Sequence, residues 1–387
     1  MNILMYRYKS ICEPDVKESF ERVGVNVIEV WDSDCKNQTV LVETIAKVLQ
    51  EQVCMFVFSI NFHPFVSDVC KILKKKYISW VVDCPLLTLF SPSVKNQNNR
   101  IFIFDRKQWE RIKDYNPGNI IHFPLGTNQR QNESVISSIT NEERKKFISD
   151  VSFVGSLYTE KCPYNKLNDL PDYEKAYLDA IVDAQSVIYG YNFCEEMITD
   201  EMVETIKKYT EFYRLSPGWE ECDKYIIAHE YLGAKITEKE RIRLLGALSQ
   251  HYNVDLYTYG KTDFLPKINN KGTVSSHREQ KIVFHLSKIN LNITTKPIMS
   301  GLSLRVWDVM GSGGFLLSNY QEEIEDYFVI GEDIEIFSSE QELIEKVGFY
   351  LEHEETREKI ARNGYEKVQK YHSYDERIKQ MIGCLLD

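Results

Sequence analysis

None of the nine cysteines in this sequence forms a Cys-x-x-Cys pair, so the ligand spacing of a structural zinc site is missing. Their number is odd and several lie in apolar runs, where cysteine acts as a small hydrophobe; this usage implies a reducing compartment, the cytoplasm. No stretch approaches the ~20 apolar residues that cross a bilayer. Met1 to Tyr6 runs directly into a strand pattern and lacks the three-part layout of a signal peptide. No basic amphipathic helix supports tight membrane docking, which leaves only weak peripheral association open. Positive charge is in short supply: 47 Lys and Arg against 58 Asp and Glu give −11 at pH 7. The basic runs, Lys74–Lys76 and Arg144–Lys146, are short and read as solvated surface, against a nucleic-acid partner. No Gly-x-Gly-x-x-Gly follows the first strand pattern, against a dehydrogenase. Gly260-Lys-Thr262 has the end of a phosphate-binding loop, but that loop needs glycine where this chain has Asp255. Asp32-Ser-Asp34 has a spacing that can hold a divalent ion, but so short a pattern reads better as a polar loop. No metal is expected.

What is present is an α/β pattern. With 387 residues and 43% hydrophobic content, the chain is long enough for two domains, each burying its own core. Short runs rich in β-branched and aromatic residues occur at Asn2–Tyr6, Val25–Trp31, Val53–Ile60, Tyr77–Asp83 and Arg100–Asp105. Helix-like segments lie between them, one from Pro14 to Gly24 and one from Pro64 to Lys74–Lys76. This alternation predicts a mostly parallel sheet flanked by helices. It breaks after Thr127, and the polar stretch that follows reads as a linker, 128–148. A fresh strand, Asp150–Gly155, opens a second domain over 149–372. Tyr164 to Tyr231 has no strand signal and reads as a helical insertion. Val254–Tyr259, Ile289–Thr294 and Phe315–Ser318 resume the strands, with helices expected from Thr237 and from Ser338.

The most informative stretch runs from Asn290 to Tyr320. A strand ends in asparagines, and a loop leads to a helix carrying Arg305 and Asp308. Gly311-Ser-Gly-Gly314 ends it before another strand. In open α/β sheets ligands sit beyond the carboxyl ends of strands, and helix N-termini there offer N–H groups to phosphate. Arg305 suits a diphosphate through its planar fork, and Asp308 suits ribose hydroxyls. By the residues alone, a plain helix end with an Arg305–Asp308 surface pair explains them equally well.

This stretch resembles the nucleotide-binding segment of group 1 glycosyltransferases with two Rossmann-like domains, the GT-B fold. The branch similar to the spore-maturation protein CgeB carries a comparable core, matched here by Leu304-Arg305, Asp308 and Gly313-Gly-Phe-Leu-Leu317. Val151-Ser-Phe-Val-Gly-Ser156 and Ser79-Trp-Val-Val-Asp-Cys-Pro85 resemble other segments of that branch. The resemblance implies two Rossmann-like domains facing across a cleft, 1–127 on the acceptor side and 149–372 on the donor side. It also implies a final helix, within 373–387, that crosses back to the first domain. The implied activity is transfer of a sugar from a nucleoside-diphosphate sugar, uridine-linked, to a glycan, protein or small-molecule acceptor, without an essential metal or bound cofactor. One departure matters. The first of two family glutamates falls on Ser300, which cannot act as a carboxylate. That keeps two alternatives open: a donor-binding subunit without turnover, or a nucleotide-sugar epimerase of the same fold.

For the donor site the candidates are Gly155, Ser156, Tyr158, Tyr259, Lys261, Asn292, Arg305, Asp308, Gly313 and Gly314. For a general base on the acceptor side they are Asp83, at the end of a strand, and His63, in the loop Asn61-Phe-His-Pro64.

Overall fold

The computed structural model describes residues 1–385 apart from Lys161, Arg214 and Ser276. The chain forms two compact units. One comprises Met1–Asn128, Leu215–Glu221 and Tyr371–Asp387, and the other Gln129–Arg214 and Cys222–Lys370.

The first unit is built on six parallel strands: β1 (Asn2–Arg7), β2 (Asn26–Trp31), β3 (Phe56–Ile60), β4 (Lys76–Val81), β5 (Asn99–Ile103) and β6 (Ile120–His122). They lie in the order β2-β1-β3-β4-β5-β6. A parallel sheet covered on both faces needs strands that are apolar all along, and every residue of β3 is buried. The short helix Pro64–Ile72 begins on proline, whose fixed φ suits a first helical position. It stops before the lysines that were expected to end it: Lys74 takes φ +53 and Lys76 already belongs to β4. The C-terminal helix Tyr374–Gly383 belongs to this unit. Arg22 and Asp375 pair at 2.7 Å, Arg377 donates to the Leu125 carbonyl, and the Trp80 and Tyr374 rings meet edge to face. Residues 386–387 of the expected crossing segment lie outside the described residues.

The second unit holds β7 (Ser149–Val154), β8 (Val254–Tyr257), β9 (Asn269–Asn270), β10 (Ser287–Asn292), β11 (Leu316–Asn319) and β12 (Glu335–Phe337), again all parallel. Their order is β12-β11-β10-β7-β8-β9. The fold class expected from the sequence, two Rossmann-like α/β sheets, is the one observed. Two local expectations differ. Residues 128–148 are not a loose linker, because they form the helices Gln129–Ser137 and Asn141–Phe147. The second opens with a Thr140–Glu143 capping box, and Glu143 pairs with Arg278 at 2.7 Å, which ties the segment to the second unit. Thr237 does not open a helix either. The helix spans Gly233–Ser249 and continues from a π-helical turn at Ile226–Leu232, so Thr237 lies buried within it. The region read as an insertion contains the helices Asp172–Gln185 and Asp200–Tyr209.

Gly313 and Gly314 end the Leu304–Gly311 helix and start the return to β11. Gly313 has φ +75, a backbone shape that favours glycine. A side chain at Gly314 would overlap the Phe284 carbonyl and the Asn290 amide. Gly314→Ala is therefore expected to destabilise the second unit by about 2 kcal/mol, the usual cost of overpacking a tight core position. Urea unfolding of the full chain measures it, and an unshifted midpoint would show that the loop has room.

Candidate functional site

The first strand of the second sheet, β7, has β8 on one side and β10 on the other. Chain direction across the sheet therefore reverses between β7 and β10. Such a switch point opens a crevice beyond the carboxyl ends of the strands, where open α/β sheets bind ligands. The two strands pair in parallel, with Val151 opposite Ile289. The loops that leave them begin at Gly155 and Ile293.

Arg241 joins these two loops. It comes from the Gly233–Ser249 helix and is only 8% exposed. Its Nη1 donates to the Ser156 carbonyl at 2.6 Å, and its Nη2 and Nε donate to the Ile293 carbonyl at 2.6 and 3.2 Å. The guanidinium also lies over the rings of Phe153 and Tyr158, 5.2 and 5.4 Å from their centroids. A side chain at Gly155 would crowd the Phe153 ring, 3.3 Å from the position of its Cβ. Burial depresses the Arg241 pKa, while Tyr158 and Glu240 act the other way.

Arg305 stands in the first turn of the Leu304–Gly311 helix. Its guanidinium lies 4.9 Å from the Phe284 ring centroid. Its Nη1 is buried without a hydrogen-bond partner, as is the hydroxyl of Ser303 at the helix N-cap. Burial pushes the Arg305 pKa down to about 10; Asp308 opposes the shift and Arg241 adds to it. Both guanidiniums remain cations at neutral pH. The structure therefore brings two electrostatically coupled, desolvated cations together beside a helix N-terminus. Buried cations usually have a paired anion, yet among the described residues neither has a carboxylate at ion-pair distance. Together with the N–H groups of the helix start, they can hold a multiply charged anion.

The other donor-side candidates divide into two groups. Ser156, Tyr158 and Tyr259 are gathered at the ends of β7 and β8. The Ser156 hydroxyl donates to Tyr259 Oη at 3.2 Å and accepts from the Tyr158 amide at 2.9 Å. Tyr259 is 47% exposed, so its ring face is open to a flat ligand. Lys261 is exposed just beyond. Asn292 and the two late glycines do not fit the role expected of them. Asn292 is buried, and its amide donates to the hydroxyls of Thr294 and Ser318, each at 2.9 Å, tying β10 to β11. Gly313 and Gly314 lie past the C-terminal end of the Leu304–Gly311 helix, ~15 Å along its axis from Ser303 at 1.5 Å per residue. They therefore sit at the amino edge of the sheet, away from the ligand edge. Ser300 is buried as well, and its hydroxyl donates to Glu323 at 2.8 Å.

Arg241, Lys296 and Glu240 were missed in the sequence. Lys296 stands 3.7 Å from the fully buried Glu240 and donates to the Ile188 carbonyl. It borders a shallow open pocket lined also by Gly190, Asn192, Thr294, Asn319 and Tyr320. A readable signal existed for two of them. Thr237, Glu240, Arg241, Leu244, Leu245 and Leu248 follow helical spacing on one buried stripe. Two members of that stripe, Glu240 and Arg241, are charged residues at core positions.

In the first unit, Tyr8, Asn61 and Asp83 converge where β1, β3 and β4 end. The Asn61 amide donates to Tyr8 Oη at 2.8 Å and to Asp83 Oδ2 at 2.6 Å, and Asn61 Oδ1 accepts from the Val82 and Asp83 amides. Asp83 is exposed, not desolvated, and one of its oxygens is oriented by this network. His63 does not suit a base. Its Nε2 bonds the Ile60 carbonyl at 3.1 Å, which makes Nε2 the protonated nitrogen. The ring packs edge-on against Tyr6 and Tyr8, and burial pushes its pKa down to about 4. Among the described residues no group of three or more His, Cys, Asp or Glu side chains could hold a metal ion.

The His63 shift has a consequence for stability. Its folded pKa lies below the unfolded value of about 6.5, so the unfolded chain binds more protons between the two. The contribution is complete above pH ~6.5 and is lost as pH falls toward 4. Melting of the first unit is expected to weaken over that window, and His63→Gln to flatten the dependence. An unchanged pH profile in the variant would assign the acid sensitivity elsewhere.

Residues 234–383 match the family described as glycosyl transferase-like. No curated protein matches the sequence. Among solved structures, Anabaena HepE in complex with UDP and glucose is similar at TM-score 0.56 and 12% identity, with 100% of this chain and 99% of that one covered. The UDP-glucose complex of the same protein gives TM-score 0.54 at 12% identity, covering 100% and 99%. Sucrose-phosphate synthase from Thermosynechococcus elongatus gives 0.54 at 8% identity, covering 99% and 98%. At such identities the likeness is one of fold, and that fold is the GT-B architecture of two Rossmann-like α/β units.

Proposed function

We propose that this protein is a glycosyltransferase that takes a sugar from a nucleoside-diphosphate donor, uridine-linked, and places it on an acceptor hydroxyl of a surface glycan, a glycoprotein or a small molecule. The observation that carries the reading is Arg305. It is a buried guanidinium with an unbonded Nη1 in the first turn of a helix that starts at the ligand edge of a Rossmann-order sheet. The glycosyl transferase-like match over residues 234–383 supports it, as does the fold shared with a protein solved in complex with UDP and with UDP-glucose.

In this mechanism the donor's anomeric C–O bond breaks and its electron pair passes to the diphosphate. Arg305 and the helix N–H groups meet the growing charge where it develops. Asp308, one turn further along, accepts hydrogen bonds from the ribose, and Tyr259 offers a face to the base. Gly155, Ser156 and Tyr158 shape the loop beside the phosphates, and Lys261 adds a mobile charge. We assign charge compensation to these groups and none to a metal, and the reaction to the cytoplasm. For an acceptor bound at the strand ends of the first unit, we assign Asp83 as the base that takes the hydroxyl proton. A second reading, donor binding without turnover, is favoured by Ser300, whose hydroxyl is committed to Glu323.

Incubation with uridine, guanosine and thymidine diphosphate sugars, with EDTA present, tests the reading through thermal stabilisation and release of free nucleoside diphosphate. Stabilisation with turnover is expected. Stabilisation alone, even with acceptors, favours the silent subunit, and no response to any donor sinks the transferase reading. Turnover that disappears only with EDTA would place a cation at the diphosphate. Arg305→Ala and Asp308→Ala are each expected to weaken donor binding by more than ~1 kcal/mol, the loss of a charge-assisted hydrogen bond. Wild-type affinity in both would displace the site.

Asp83→Asn separates binding from chemistry. It should leave nucleotide affinity intact and lower turnover at least ~100-fold, the lower range for a lost general base. Unchanged turnover would remove Asp83 from the mechanism.

A further inference from the structure

Arg241 combines three properties that a purely structural residue does not need together. It is buried in the second unit, and among the described residues it has no carboxylate at ion-pair distance. It also spends its donors on the main-chain carbonyls of Ser156 and Ile293, at the start of the two loops at the switch point. A neutral side chain of similar size could fill the space. A guanidinium adds a charge that carbonyl dipoles solvate but do not neutralise.

The surrounding groups set the sign of the field. Arg305 is a second cation close enough to be destabilised by Arg241, with Asp308 opposing. Glu240 is the other nearby acid, and it already stands 3.7 Å from Lys296. Glu240 is the acid that acts on Arg241 and Asp308 the acid that acts on Arg305, and Glu240 is shared with Lys296, so each guanidinium keeps much of its positive charge. In a site of low polarity such a charge acts over longer range than in water.

We propose that Arg241 is a positioning residue for the donor's diphosphate: it bridges the β7 and β10 loops at a fixed spacing and supplies buried positive charge that favours a nucleoside diphosphate over its neutral nucleoside. The proposal rests on the donor reading above. It acts through the loops and through the field, without contact to the reacting atoms. Lysine at this position would keep the charge but lose the planar fork that reaches both carbonyls.

The test compares nucleoside diphosphate with nucleoside. Isothermal titration of the full chain identifies which of UDP, GDP and TDP binds best. Its affinity is then divided by that of the matching nucleoside, in the wild type, R241M, R241K and R305A, with melting curves on each. R241M is expected to lower the ratio by about tenfold, as for loss of one charged partner, while nucleoside affinity stays within about twofold. R241K is expected to keep the ratio near wild type. A folded R241M with the wild-type ratio overturns the proposal. If R241M does not fold, R241Q, which also removes the charge, decides: a wild-type ratio in folded R241Q makes Arg241 a structural bridge only and also overturns the proposal. A wild type that binds none of the diphosphates defeats the glycosyltransferase reading itself. Loss in R305A with an unaltered ratio in R241M defeats this inference alone.

Discussion

A guanidinium taken out of water must recover several kcal/mol of lost hydration from its new neighbours. Arg241 recovers it from two main-chain carbonyls and two aromatic faces. That choice constrains the rest of the second unit. The carbonyls belong to loops that leave adjacent strands, so the strand ends, the Gly233–Ser249 helix and the aromatic residues Phe153 and Tyr158 are held in one arrangement. The sheet order makes the same two loops the walls of the crevice. One side chain thus links the packing of the core to the shape of the binding edge.

The two sheets reach comparable ends by different strand orders. In the second, the reversal between β7 and β10 puts the helix start at Ser303 beside the loops from both strands. In the first, the order β2-β1-β3-β4-β5-β6 reverses between β1 and β3, and Tyr8 and Asn61 follow those strands directly. Asn61 adopts φ +55 there, which turns its amide toward Tyr8 and Asp83. Burial and Asp83 both push the Tyr8 pKa up, so Tyr8 stays a neutral donor and acceptor. Asp83 is the exposed carboxylate of that edge, whereas His63 is part of its aromatic packing.

Most of the architecture was readable because buried parallel strands leave continuous apolar runs, as in Phe56–Ile60. The short strands β6, β9 and β12 were not, since two or three residues carry too little pattern. Val53 shows the opposite error: it continues an apolar run in sequence but is 87% exposed before β3 begins. Residues 128–148 were misread because surface helices are mostly polar, and their Asn, Gln, Ser and Glu content hid the helical period. In the site, Arg305 and Asp308 stood out through the motif that contains them. The glycines of the same motif serve the opposite edge of the sheet, which a linear pattern does not reveal. Arg241 and Glu240 were hidden among charged neighbours on a helix; only their phase relative to Leu244, Leu245 and Leu248 marks them as interior.

The buried amides of the second sheet carry one more consequence. Ser152 donates to Asn290, Asn290 donates to the Phe284 and Phe315 carbonyls, and Asn292 reaches Thr294 and Ser318. An apolar interior tolerates a sliding strand better than one with polar groups, because methyl groups have no directional partners to lose. Here a slip of one residue would turn these amides to the other face and leave each without a partner in a dry interior, at a cost of roughly 1–3 kcal/mol apiece. The asparagines therefore act as teeth that key β10 to its neighbours, so that competing alignments of the sheet are penalised before any ligand arrives.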